Sequence, residues 1–465
     1  MFSKLKKEID SLSPWFKIVL IVMAFIYLGL WFYTIKLSSN QTVKNFEPVL
    51  PTAPKDSHEY VLLSQSLMRG DGLSSNGRIE TLRMPGYPLF VGILKTVGRS
   101  YFVVTFVQIL LVFVTILILR RIGIVFSGNK VGEISATLLL VNPVTMTLSL
   151  LILTDVLFIF LFTLGFYLAI TINERKPFIK VIMVSLIFIS AIYVRGMGLF
   201  ALPIFMLPIL VTKLPFKLQA KLLGVMFFMI LLSIVPWIAR NSVQTGIRSF
   251  NTFEAENLSF AIPKFLSYKN GTKEEEEIAN FLKVAGVPNY IWQDYGGRNI
   301  NYAKQISKAG EKIILDMPFS YLKFHLTSSI PFLFPSSILF MRDAYDSAVD
   351  QKREFQYGAI NALISGDWGT FYKSIKEVWW KFAERILWLF AYFVSLFGIW
   401  KNRQSRLTWV FIFIFAYLMV LSGPAAGPRL SFQAWPYMFL LFAEGGVYLY
   451  QRFLLGKNPN SFNLQ

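Results

Sequence analysis

Asp56 is followed at short range by Glu59 and Tyr60, then by Gly70-Asp71-Gly72, then by Arg83 ahead of Pro85-Gly86-Tyr87-Pro88. A carboxylate held beside a hydroxyl or amine can take its proton as general base, an effect typically worth ~10²–10⁴ in rate. A guanidinium binds phosphate through charge-assisted, often bidentate bonds, and the proline-rich turn would hold Arg83 in place. Each feature also has a plainer explanation. Asp56-x-x-Glu59 before an apolar run is a capping box, with Asp56 as N-cap and Glu59 at N3. An Arg near a helix end can simply snorkel to the interface.

Four more charges stand at the ends of apolar runs. Asp155 opens one, where the helix macrodipole favours an acid. Arg195, Arg240 and Arg429 close or join others, in Val194-Arg195-Gly196, Pro236-Trp237-Ile238-Ala239-Arg240-Asn241 and Pro428-Arg429-Leu430. The only acid well inside an apolar run is Glu444, beside Gly445-Gly446.

The elements that must position these groups follow from composition. Of 465 residues 54% are hydrophobic and 16% charged, with 45 Phe, 20 Tyr and 11 Trp. Mean hydropathy is +0.51. Soluble domains have about a quarter of their residues charged, so this chain is an integral membrane protein. Segments long enough to span lie at about 14–35, 101–119, 131–150, 155–172, 178–194, 198–211, 222–239, 379–400, 407–421 and 430–450. The expected fold is therefore an all-α polytopic bundle of about ten transmembrane helices. Segments 85–98 and 321–340 are candidate interfacial or re-entrant stretches. No small-residue cleavage site follows the first span, which predicts a retained anchor.

Basic residues orient the bundle. Lys4, Lys6, Lys7 and Lys17 precede the first span, and Arg120, Arg121 and Lys130 join the second to the third. Arg175, Lys176 and Lys180, then Lys213, Lys217 and Lys221, then Lys401, Arg403 and Arg406, then Arg452 and Lys457 mark later turns. All fall on one side if both termini are cytoplasmic. The other side then carries two large loops, at about 36–100 and 240–378. This divides the chain into an N-terminal module of seven spans (1–239), which includes the first outer loop, an extracytoplasmic subdomain (240–378), and a C-terminal module of three spans with a short tail (379–465). The second loop holds Gly296-Gly297 and the run Glu274–Glu277, read as a solvated helix face. Asp56, Arg83, Asp155, Arg195, Arg240 and Arg429 all lie on the outer side. Four arginines there oppose the charge bias that orients the helices, which points to an anionic partner such as a lipid phosphate.

Other classes are excluded. The excess of 46 Lys+Arg over 27 Asp+Glu is that of cytoplasmic loops, and no aromatic-interleaved basic patch suggests nucleic acid. The absence of Cys removes disulfides and thiolate chemistry, and two histidines, His58 and His325, cannot build a His-rich metal centre. No Gly-rich nucleotide loop is present.

The order of motifs resembles a known family: Asp-x-x-x-Tyr at 56–60, Gly-x-Gly at 70–72, Arg-x-Pro-Gly-Tyr-Pro-Leu-Phe at 83–90, Thr-Asp-x-Leu-Phe at 154–158, Pro-Trp-x-x-Arg-Asn at 236–241, and Arg-Leu at 429–430 before Trp435-Pro436. It is similar to the GT-C superfamily of glycosyltransferases. Within that superfamily it is similar to the bacterial branch of dolichyl-phosphate-mannose–protein mannosyltransferase-like enzymes that includes the lipid A aminoarabinose transferases. The likeness is closest in the first loop and at 236–241, and loose from 250 to 371.

The resemblance implies an inner-membrane enzyme that takes a sugar from a polyprenyl phosphate on the outer side and passes it with inversion to a glycan, lipid A or protein acceptor. It implies Asp56 as the acid that deprotonates or orients the acceptor and Asp155 as a positioning or metal-contacting acid. Arg83, with Arg240, Arg429 and Arg195, is implied as the donor-phosphate ligand set, and Glu59, Tyr60 and Tyr87 are weaker candidates for substrate contact. Ser57 stands where many relatives carry a second acid, which weakens a two-carboxylate metal site; a divalent metal stays possible but uncommitted. Rival readings are an O-antigen polymerase or ligase, and a lipid or sugar transporter.

Overall fold

The computed structural model describes residues 10–39, 55–75, 78–288, 300–345 and 366–456. Expectations placed on Lys4, Lys6, Lys7, Gly296-Gly297, Lys457 and the last nine residues lie outside them.

The N-terminal half runs α1 (Pro14–Ser39), α2 (Lys55–Arg69), a two-stranded ribbon β1 (Ser74–Ser75) and β2 (Arg78–Ile79), then α3 (Gly86–Gly98) and α4 (Phe102–Ser127). Helices α5 (Asn129–Leu140), α6 (Pro143–Leu150), α7 (Asp155–Ile170), α8 (Pro177–Val194), α9 (Leu202–Leu210) and α10 (Phe216–Thr245) complete it. The outer subdomain holds α11 (Phe253–Asn270), α12 (Glu274–Ala285), α13 (Ile300–Asp316), α14 (Pro318–Ser328), α15 (Ile330–Leu333) and α16 (Ser337–Tyr345). Last come α17 (Trp368–Lys401), α18 (Arg406–Ser422), α19 (Pro428–Ser431) and α20 (Trp435–Leu449).

The protein is a multi-pass membrane protein. Among the described residues six helices, α1, α4, α8, α10, α17 and α18, are long and apolar enough to cross a bilayer. The pair α5 and α6, bent by 57°, is long and apolar enough together to form either a broken span or a re-entrant loop. The bend follows from Asn142-Pro143. Pro143 donates no backbone bond, while the Asn142 side chain accepts from the Val144 amide at 2.9 Å and restarts the helix. All ten expected segments are helical; α20 runs straight on into a π-helical turn at Tyr450–Leu454, but α7 and α9, at 16 and 9 residues, fall short of a full span by length alone. They are buried against the longer helices instead.

Close helix contact is set by small residues. A Cβ on Gly398 of α17 would lie 2.1 Å from the Leu441 carbonyl, and one on Gly445 of α20 would lie 1.9 Å from the Val394 carbonyl. The two helices therefore touch backbone to backbone, with Trp388 stacked on Trp435 at 5.3 Å between centroids. Beside this contact the fully buried Glu444 pairs with Lys401 at 3.1 Å, so this acid has a structural partner.

The two long polar loops contain folded helices. Segment 85–98 is the helix α3, with Tyr87, Pro88, Val91 and Gly92 buried. Segment 321–340 is broken among α14, α15 and α16. In the outer subdomain α11, α12 and α13 share a small apolar core that includes Leu258, Ile262, Phe281, Leu282 and Ile306. The Glu274–Glu277 run corrects the solvated-face expectation at its last residue. Glu277 is 4% exposed and accepts from Thr272 Oγ1 at 2.7 Å and Asn270 Nδ2 at 2.9 Å.

Candidate functional site

Helix α2 begins at Lys55, so Asp56 stands inside its first turn and not at the cap. Asp56, Glu59 and Tyr60 therefore share one face, at spacings of three and four. The ribbon that follows turns the chain back over that face. Glu80 Oε1 accepts from the amides of Leu82 at 2.6 Å and Arg83 at 3.0 Å, which fixes the backbone before Arg83. The Arg83 side chain then reaches Asp56 Oδ1 at 2.6 Å and Glu59 Oε2 at 3.0 and 3.1 Å, and it lies over the Tyr60 ring at 5.2 Å. Both carboxylates of the pattern that also reads as a capping box engage a guanidinium.

Distant segments close the network. Arg429, on the short helix α19, gives Nη1 to Asp56 Oδ2 at 2.6 Å and Nε to Asp155 Oδ2 at 2.7 Å. Asp155, at the N-terminus of α7, pairs through its other oxygen with Arg195, which ends α8. With its amide oriented to satisfy its neighbours, Gln433 accepts from Arg195 at 3.0 and 3.2 Å. The result is a chain of alternating charge, Glu59, Arg83, Asp56, Arg429, Asp155 and Arg195, drawn from five parts of the sequence. Three carboxylates face three guanidiniums.

Asp155 is wholly buried, whereas the Asp56, Arg83, Arg195 and Arg429 side chains keep 22, 14, 13 and 25% of their surface. These four line one cavity of about 440 Å³ together with Tyr60, Thr154 and a face of α11. Burial alone would loosen the proton on Arg83, but Tyr60, Asp56 and Glu59 outweigh it, so its pKa stands above the ordinary value. Arg429 is shifted the same way, burial being outweighed by Asp155 and Asp56. Both stay cationic and ready for an anion.

Two expected ligands are placed elsewhere. Arg240 gives its N–H groups to the Glu80 carbonyl at 2.9 Å, the Leu73 carbonyl at 3.3 Å and Asn241 Oδ1 at 2.8 Å, and stacks on Trp237. It braces the ribbon that carries Arg83 and is not part of the cavity wall. Tyr87 is fully buried, edge-on to Tyr60 at 4.9 Å, with its hydroxyl donating to Gln108 Oε1 at 2.7 Å. Gln108 in turn donates to the Leu151 carbonyl at 2.8 Å, just before Asp155. Tyr87 thus ties the two halves of the site together behind the cavity.

Gln108 and Gln433 were missed from sequence. A lone amide inside the apolar run of α4 is a signal that could have marked the first. Gln433 has no such signal beyond its place four residues after Arg429.

The acids present do not suit a divalent cation. Asp56 and Asp155 each already bind two guanidiniums, and among the described residues no three His, Asp or Glu side chains converge on a common point.

No protein-family model and no curated protein sequence matches the chain. Among solved structures it resembles the Archaeoglobus fulgidus oligosaccharyltransferase. The TM-score is 0.51 in the apo form and 0.50 in the complex with Zn and sulfate, both at 14% identity. These overlays cover 97 and 94% of this chain. The fold is that of the matched part of this oligosaccharyltransferase. The chain spans about half the length of that archaeal enzyme, 52 and 50% in the two structures. ArnT of Cupriavidus metallidurans, solved apo and bound to undecaprenyl phosphate, overlays with a TM-score of 0.39 at 14 and 15% identity, over 95% of this chain and 80 and 81% of that one.

Proposed function

We propose that this protein is an inverting glycosyltransferase of the inner membrane, with both termini cytoplasmic, which moves a sugar from a polyprenyl-phosphate donor to an acceptor on the outer face. The observation that carries the proposal is the junction at Arg429: one guanidinium shared by Asp56 and Asp155 on the wall of a cavity that Arg83 and Arg195 also line.

The chemistry is a single displacement. An acceptor oxygen or nitrogen attacks the anomeric carbon, the carbon–oxygen bond to phosphate breaks, and the lipid phosphate leaves with the bonding electrons. Arg83, Arg195 and Arg429 meet the charge that grows on the leaving oxygen. Asp56 receives the acceptor proton. Attack opposite the leaving group inverts the anomeric centre. Before substrate arrives, both Asp56 oxygens are occupied by arginines. A phosphodiester entering the cavity competes for those same N–H groups, so donor binding frees an Asp56 oxygen for the acceptor. Asp155, buried behind Arg195 and Arg429, holds the two guanidiniums in register. No step is routed through a metal.

Full-length protein in nanodiscs, given radiolabelled polyprenyl-phosphate sugar and outer-membrane or cell-wall acceptors, is expected to release lipid phosphate in step with glycosylated acceptor. Label that crosses the bilayer without release of lipid phosphate would identify a transporter and end the proposal.

A further inference from the structure

Resting on the transfer reaction above, we propose that one face of α11 is the sugar-reading wall of the site, with Glu256 as the residue that recognises hydroxyl groups of the transferred sugar. Phe253, Glu256, Asn257 and Phe260 all line the same cavity as Asp56 and the arginines. Their spacing of three, four and seven puts them on a single helical face.

The helix is anchored to both arginine-bearing segments. Asn251 Oδ1 accepts from the Phe253 amide at 3.1 Å and starts α11. The Asn251 amide nitrogen packs so closely on Gly196 that a Cβ there would come within 2.5 Å, and Gly196 directly follows Arg195. Thr252 gives its amide to the Thr81 carbonyl at 3.2 Å, two residues before Arg83. The first two turns of α11 are thereby set opposite the arginines.

The two walls differ in chemistry. Every guanidinium lining the cavity comes from outside α11. Glu256 is 8% exposed, and as an anion it repels phosphate, so its side of the cavity suits the neutral end of the donor. A carboxylate accepts from a pair of adjacent hydroxyls, a carboxamide both gives and accepts, and aromatic rings pack on the apolar C–H face of a pyranose. Phe260 keeps 43% of its surface at this wall. The occupant this combination fits is a hydroxyl-bearing sugar ring joined to a phosphate held across the cavity.

The test compares binding of bare undecaprenyl phosphate with binding of undecaprenyl-phosphate mannose, glucose, galactose and N-acetylglucosamine to the full chain in nanodiscs. Wild-type protein is expected to prefer at least one glycosylated lipid. E256A is expected to weaken that ligand by about 10- to 100-fold, towards the affinity of the bare lipid, whose own binding stays unchanged. E256Q, which keeps an acceptor oxygen, is expected to retain part of the preference, and F260A, at an exposed position, to lose about threefold. In turnover, E256A raises KM for the donor more than it lowers kcat. Wild-type protein with no preference for any glycosylated lipid overturns the transferase assignment and this one with it. Preference retained in E256A overturns this one alone, as does equal loss of both ligands, which marks a structural residue. Loss in E256Q as deep as in E256A indicates a charged amine as the partner and overturns the hydroxyl assignment.

Discussion

Two arginine–carboxylate clusters stand at opposite ends of the bundle, and they use the same chemistry for different ends. At the end carrying the start of α1, the close of α4 and the start of α5, Arg120 pairs with Glu133 at 3.4 Å. Arg120 also reaches the Ser11 carbonyl at 2.8 Å and Asn129 Oδ1 at 2.6 Å, while Glu133 accepts from the Ser13 amide at 3.0 Å. Both residues are 1% exposed. At the other end Asp56, Arg83, Arg195 and Arg429 pair just as closely but border a cavity. The first cluster locks three helices and offers nothing to a ligand. The second keeps its guanidiniums where an incoming anion can exchange partners with a carboxylate. Exposure to a shared cavity, and not the presence of ion pairs, separates a latch from a site.

The largest expected effect breaks the outer cluster at its proposed base. D56N is expected to lower transfer by about 10²–10⁴-fold with little change in thermal stability, measured as glycosylated product per folded protein. A variant that loses stability and keeps its specific activity would give the outer cluster the same role as the inner one. Next comes R429A, which strands two acids at once. It is expected to abolish transfer and also to destabilise, by about 3–5 kcal/mol, because Asp155 is left buried with one partner fewer. R429K is expected to rescue stability more than activity, since one ammonium cannot reproduce a planar fork between two carboxylates.

The inner cluster sharpens the contrast. R120A is expected to cost about 3–5 kcal/mol in unfolding while KM for the donor, measured on the folded fraction, stays at the wild-type value. R240A has a smaller effect. Losing its bonds to the ribbon carbonyls is expected to loosen Arg83 and raise donor KM by several-fold, with about 1–2 kcal/mol lost in stability.

The smallest effect belongs to an acid pair of the outer subdomain. The carboxyl of Glu254 is raised above its ordinary value by partial burial and by Glu311 facing it. A carboxyl raised in this way favours the folded state while protonated, so its contribution fades as pH rises through the raised value. E311Q is expected to flatten that slope in a pH series of melting temperatures, without altering the ratio of glycosylated to bare lipid bound.

Much of the architecture was legible in the residues. Long apolar runs must be helices in lipid because every backbone polar group needs an internal partner. Span length was less legible: the segment holding α9 is apolar enough to read as a crossing, yet its α-helix is only 9 residues long. Local spacing was ambiguous at Asp56, where a capping box and a face of acids turned to a distant guanidinium share the same pattern. It says as little about Arg240, expected at the phosphate, whose side chain turns to the ribbon.

What the chain determined by itself is local: which segments are apolar, where proline bends or ends them, and which charged residues stand at their outer ends. Which of those charges meet was decided only by tertiary structure. Asp56 and Arg429 are separated by 373 positions, and Asp155 and Arg195 by 40. Helical periodicity says nothing about partners so far apart. Their meeting depends on close approaches at glycine, such as Gly398 against the Leu441 carbonyl and Gly196 against the Asn251 side chain, that exist only once the helices are packed.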